Sequence, residues 1–185
     1  ACDYRYLCSD EAPSLLRDNL EDVYLKPVHV RLFNLCMPDI SDFFATLPPD
    51  RMDAVVALLG ALREGLPAGF SESCDGRMVH FSVPHSLYPN GYHCNPKQPL
   101  PFISVASTKG HIGLHHMGIY ADPDLLRFVQ TEWDECACGK LDMGKGCLRF
   151  KKPERLLAAL PLLEALFEKM TPEQWVACYE GGFKR

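Results

Sequence analysis

Between residues 84 and 101 the chain carries Pro84, Pro89, Pro96, Pro99 and Pro101. Proline fixes φ and has no backbone N–H, so this stretch reads as neither a helix nor a central strand. A connection of that length is uncommon in a compact domain and is often functional. The periodic segments on either side must therefore come together across it.

On its N-terminal side, Pro49 to Glu64 reads as a helix. Proline suits the first turn, where its missing N–H costs nothing. Met52, Val55, Val56, Leu59 and Leu62 recur at helical spacing as a core stripe. Gly65 and Pro67 stop it. Apolar and polar residues then alternate over Val79-His80-Phe81-Ser82-Val83, the mark of a half-buried strand.

On the C-terminal side a hairpin is expected from Phe102–Ser107 and His111–His115 around Thr108-Lys109-Gly110. Asp122 caps a helix with Pro123 at its first position and Leu125, Leu126, Val129 and Trp133 inward. A second hairpin pairs Lys140–Met143 with Cys147–Phe150 around Gly144-Lys145-Gly146. Two helices close the chain. One is lined by Leu156, Leu160, Leu163 and Phe167. The other opens on the capping box Thr171-Pro172-Glu173-Gln174 and carries Trp175, Val176 and Tyr179. The expected fold class is α+β: an antiparallel sheet of four to six strands, helices packed on one face, the other face wholly or partly open. Residues 1–40, broken by Pro27 and Pro38, read as an N-terminal extension to a domain over 41–185.

Of the 185 residues, 47% are hydrophobic and 23% charged, which suits a folded domain rather than a disordered chain. Net charge is −5, from 19 basic and 24 acidic residues, so the basic stripe of a nucleic-acid binder is not expected. The densest basic cluster, Arg149, Lys151, Lys152 and Arg155, reads as a solvated strand end. No apolar run approaches the roughly 18 residues of a membrane span, and no signal segment is evident. A soluble, intracellular protein is expected, although a start at Ala1 fits a processed or trimmed chain. The 9 cysteines are scattered, and most read as free thiols of a reducing compartment. Cys136 and Cys138, with Cys147 downstream, are a candidate ligand set or redox pair.

Two further sets carry metal-binding chemistry. Alternation along strands puts His111 and His115 on one face, and His80 points away from its apolar neighbours. His80, His111 and His115 can thus share the open face as ligands for Zn²⁺ or Fe²⁺, or lie there as solvated imidazoles. His85, His93 and Cys94 form a second set in the proline-stiffened loop, either as ligands or as packing. Cys94 beside His93 also suggests a nucleophile and base, although neighbours on an extended chain point apart. The carboxylates Asp50 and Asp53, Glu21 and Asp22, and Glu132, Asp134 and Glu135 are modest clusters on solvated faces. Gly144-Lys145-Gly146 lacks the full phosphate-loop pattern and reads as a turn.

The order of motifs carries a resemblance. It begins with Leu47-Pro48-Pro49, Val83-Pro84-His85-Ser86-Leu87-Tyr88-Pro89 and Gly91-Tyr92-His93-Cys94-Asn95-Pro96-Lys97, then Pro99-Leu100-Pro101. Ser107-Thr108-Lys109-Gly110-His111, Met117-Gly118-Ile119-Tyr120 and the run Leu141 to Lys151 follow. Over residues 42–180 the chain resembles the YdhG-like family, a group classed as a domain of unknown function. The resemblance implies a frataxin-like α+β fold and, for some relatives, intracellular iron handling. His80, His115 and His116, with Cys136 and Cys138, depart from that family's pattern. The function expected is therefore a non-enzymatic binding domain that handles iron or zinc. The alternative is an accessory subunit of a larger protein complex, held through residues 1–40.

Overall fold

Five strands form one antiparallel sheet in chain order: β1 (Ser71–Cys74), β2 (Met78–Val83), β3 (Leu100–Ser107), β4 (Ile112–His116) and β5 (Cys147–Phe150). The computed structural model describes residues 40–136 and 138–182. Six helices accompany the sheet: α1 (Ile40–Ala45), α2 (Met52–Gly65, led by a 3₁₀ turn at Pro49–Arg51), α3 (Met117–Ala121), α4 (Pro123–Glu135), α5 (Pro153–Phe167) and α6 (Pro172–Gly182). This is the α+β class expected. The expected front extension lies, apart from Ile40, outside the described residues.

Alternation sorts the sheet into two faces. Val79, Phe81, Ile103, Val105, Ile112, Leu114, Leu148 and Phe150 are buried and join one cluster with Leu58, Leu59 and Leu62 of α2, Leu156, Leu163 and Phe167 of α5, and Trp175 of α6. Each fully buried side chain of this size contributes roughly 1.5–3 kcal/mol, so this face holds the fold together. The opposite face carries a polar row in register across all five strands: Ser73, His80, Ser104, His115 and Cys147.

The expected local signals appear, with corrections. In α2 the buried stripe is Ala54, Val55, Leu58, Leu59, Ala61 and Leu62, while Val56 is 50% exposed. Val56 sits about 100° around the helix from Val55, outside the arc that faces the sheet. Asp122 caps α4 as expected, its Oδ1 accepting from the N–H groups of Asp124 (2.8 Å) and Leu125 (3.4 Å). Thr171 and Gln174 bond reciprocally at 2.8 and 3.3 Å, completing the capping box of α6.

The proline-rich connection ends earlier than its composition suggests, because Pro101 lies inside β3. A bulge accommodates it. Phe81 pairs with Ile103 and Ser82 with Pro101, leaving Phe102 as an extra residue. That residue turns into the core, where it stacks on Phe70 (centroids 4.5 Å) and meets Trp175 at 5.6 Å. The second hairpin is also reduced. Its first arm keeps one bridge, Met143 to Leu148, and only Cys147–Phe150 is a strand. The Asp142 carbonyl accepts from the Arg149 N–H at 2.9 Å, and its carboxylate turns toward Arg149 and Lys151.

Candidate functional site

The polar face brings some predicted ligands together and separates others. His80 pairs with Ser104, and Ser104 with His115. A whole strand therefore lies between the two histidines, roughly 10 Å at ordinary strand spacing. His80 is engaged elsewhere: Nδ1 meets Ser104 Oγ at 2.9 Å and Nε2 lies 3.5 Å from Asp75 Oδ2. His111 and His115 do converge. Their Nε2 atoms lie 3.7 and 3.5 Å from the point a Gly113 Cβ would occupy, so the missing side chain leaves room for both rings. Cys147 joins them from β5, its Sγ 3.7 Å from His115 Nε2.

Burial, then the neighbouring His111, lowers the His115 pKa. The Cys147 thiol is pushed up by burial, against a smaller opposing pull from Arg149. The corner is thus a neutral imidazole beside a protonated thiol at neutral pH. As the side chains stand, no group of three or more His, Cys, Asp or Glu among the described residues is set to hold a metal ion.

The loop set separates too. His85 Nε2 meets the Pro96 carbonyl at 2.9 Å, which closes the loop on itself. His93 and Cys94 do touch, Nε2 to Sγ 3.1 Å. The expectation that they diverge fails because residues 92–95 form a turn, with Asn95 N–H on Tyr92 O at 2.9 Å, rather than an extended chain. Cys136 and Cys138 form a disulfide, and Cys147 sits apart on β5, so the three are not one ligand set.

A concavity of ≈ 380 Å³ lies where the residual hairpin arm meets β5 and the first turn of α5. Lys140, Leu141, Asp142, Met143, Arg149, Lys151 and Arg155 line it. Four of these are cationic and one is acidic. Asp142 is spoken for: Arg149 Nε lies at 2.9 Å and Lys151 Nζ at 3.3 Å. The Lys151 contact, helped by Arg149 and opposed by desolvation, holds its carboxyl below the usual carboxylate range. Lys140 and Arg155 have no carboxylate partner among the described residues.

Local folding places both. Trp133 Nε1 donates to the Gly139 carbonyl at 2.9 Å, and Gly139 adopts φ +75°, which turns the chain into Lys140. The Arg155 guanidinium packs on Gly139, 3.0 Å from where a Cβ would stand. Proximity in sequence revealed Arg149, Lys151 and Arg155. The expected hairpin set Lys140 beside β5, but nothing local shows that Arg155 of α5 lines the same concavity.

The fold and this face define an α+β domain on an open five-stranded meander with a cationic concavity at the β5 edge. No protein-family model matches the chain, and neither a curated protein nor a solved structure does. Among the described residues no helix is long and apolar enough to cross a membrane.

Proposed function

We propose that the chain is a binding domain rather than an enzyme, and that its ligand is a compact anion bearing phosphate or carboxylate groups. The observation that carries this reading is the concavity of Lys140, Arg149, Lys151 and Arg155, two of which lack any acidic partner among the described residues. Four cations against one carboxylate leave a surplus of positive charge on a chain whose net charge is −5. Guanidinium forks match phosphate and carboxylate oxygens in pairs, and converging cations focus the field on an incoming anion. Titration with inorganic phosphate and pyrophosphate, followed by amide NMR, tests it. Shifts confined to residues 139–155 and at least tenfold weaker binding in Lys140→Ala/Arg155→Ala are expected. Equal affinity in that variant would overturn the reading.

Metal handling, as the YdhG-like resemblance implies, is a second reading with its own support. His111, His115 and Cys147 supply borderline and soft donors at one corner of the open face, and small rotations would bring them to one ion. Co²⁺ reports such a site directly through thiolate absorption. A band that appears on titration and vanishes in Cys147→Ser supports it, and a featureless spectrum at millimolar Co²⁺ removes it.

A further inference from the structure

The turn at residues 92–95 gathers a second kind of chemistry, independent of the cationic concavity. Gly91 makes the turn possible. It adopts φ +61°, and a Cβ there would stand 2.4 Å from Pro96 O and 2.7 Å from Gln98 O. Tyr92 N–H then bonds Gln98 O at 3.0 Å, and Gln98 N–H bonds Asn95 O at 2.9 Å. Cys94 is held at the apex, and it is the exposed one among the free described cysteines.

One side chain meets its sulfur directly: His93 Nε2 lies 3.1 Å away. The neighbouring Cys94, then burial, pushes the Tyr92 phenol above its usual range. The imidazole is itself oriented from another element. Tyr179 of α6 contacts His93 Nδ1 through its hydroxyl oxygen, which also accepts from the His93 backbone N–H at 2.9 Å. Tyr179 is buried at 1% exposure, and its ring packs 5.7 Å from Trp175, so its oxygen is a fixed point. In the tautomer with Nδ1–H directed at that oxygen, Nε2 is free to take the thiol proton. The resulting imidazolium has a partner for each N–H, and the thiolate keeps the Nε2–H as its donor. A nucleophile, a base and a group orienting the base are the parts of an activated thiol.

We propose that Cys94 is a reactive thiol, with His93 as its base and Tyr179 as a positioning residue, that exchanges with small organic disulfides. His93 Nε2 takes the Cys94 proton and the thiolate attacks one sulfur of R–S–S–R. The Cys94 Sγ–S bond forms as the S–S bond breaks, and the departing RS⁻ takes the proton from His93. One thiol and one disulfide become one mixed disulfide and one thiol, with no outside oxidant.

The test uses the full chain and oxidised glutathione, with mixed disulfide located by peptide mapping, against a synthetic peptide of residues 88–98. At pH 7 the folded protein is expected to react at Cys94 at least tenfold faster than the peptide. His93→Gln loses that advantage at pH 7 but regains the wild-type rate at pH 10, where a thiol ionises unaided. That recovery separates a base from a residue that merely shapes the loop. Tyr179→Phe keeps the buried ring and removes the oxygen that orients His93; it lowers the pH 7 rate severalfold and serves if His93→Gln disturbs the turn. A folded protein no faster than the peptide, or a His93→Gln deficit that persists at pH 10, overturns the proposal.

Discussion

His115 on β4 stands directly across from Cys147 on β5, its Nε2 3.7 Å from the sulfur. Burial and then His111 lower the imidazole's affinity for a proton. His111→Gln removes the second contribution and leaves the first. The expected result is an His115 midpoint below the ordinary value near 6.5 in the wild type, moving up in His111→Gln without reaching that value. Proton NMR of the imidazole resonances over pH 4–8 measures both. An unchanged midpoint in the variant would show that the two rings do not sense each other.

Gly91 carries the geometry of the Cys94 turn in its backbone. Alanine at φ +61° costs about 1 kcal/mol or more in conformation alone, and its Cβ would meet two carbonyl oxygens inside 3 Å. Those oxygens belong to backbone and cannot rotate away. Gly91→Ala is therefore expected to destabilise the protein by about 2 kcal/mol or more by urea unfolding. A loss under about 0.5 kcal/mol would mean that the loop relaxes without cost.

The sequence reveals most where a rule is local. The Asp122 cap, the Thr171–Gln174 box and the alternation at Val79–Val83 each depend on a few neighbouring residues, and each is in place. β1 escaped because Ser71-Glu72-Ser73-Cys74 is an edge strand with no apolar alternation, paired only with β2. α3 escaped because five residues directly after a strand present no stripe. The candidate ligand sets are brought together only in part, for a different reason. Facing is local, but convergence depends on strand order, and Ser104 stands between His80 and His115 only once β3 is known to separate their strands. Tyr179 could not be assigned to His93 from sequence, since they are 86 residues apart.

Two arginines test how burial changes the value of a charge. Arg51 is 8% exposed and ties the β3–β4 turn to the start of α2, with NH1 3.1 Å from Ser107 Oγ and 2.5 Å from Thr108 O. Arg63 makes a two-pronged pair with Glu72 at 2.8 and 2.6 Å, but its side chain is 44% exposed. Arg51→Ala should cost about 2–4 kcal/mol, because charge-assisted bonds are lost and the acceptors stay partly buried. Arg63→Ala should cost under about 1 kcal/mol, in keeping with solvent-screened pairs. Urea midpoints of the two variants decide it, and equal losses would contradict the assignment.

His116 sets the acid side of the stability curve. It is fully buried, its Nδ1 accepts from Ile119 N–H at 3.3 Å as the cap of α3, and Nε2 has no hydrogen-bond partner among the described residues. Its ring packs against Phe102 with centroids 4.9 Å apart. Burial lowers its pKa to about 3. The unfolded chain binds a proton near pH 6.5 and the native state does not, so the neutral imidazole favours folding fully above that pH. That contribution is lost progressively as pH falls from about 6.5 to about 3, with a limiting slope of about 1.4 kcal/mol per pH unit and at most about 5 kcal/mol in all. His116→Asn keeps an acceptor for the Ile119 N–H and removes the titrating group. It should be about 1–2 kcal/mol less stable than wild type at pH 7.5, from the space left beside Phe102. The deficit should shrink and then reverse by pH 4, because only the wild type still loses stability through this group. Urea unfolding of both proteins at pH 4, 5, 6 and 7.5 reads the difference directly, with the contributions of other titrating groups cancelling between them. A deficit constant across that range would show that His116 takes its proton in the folded state as readily as in the unfolded chain.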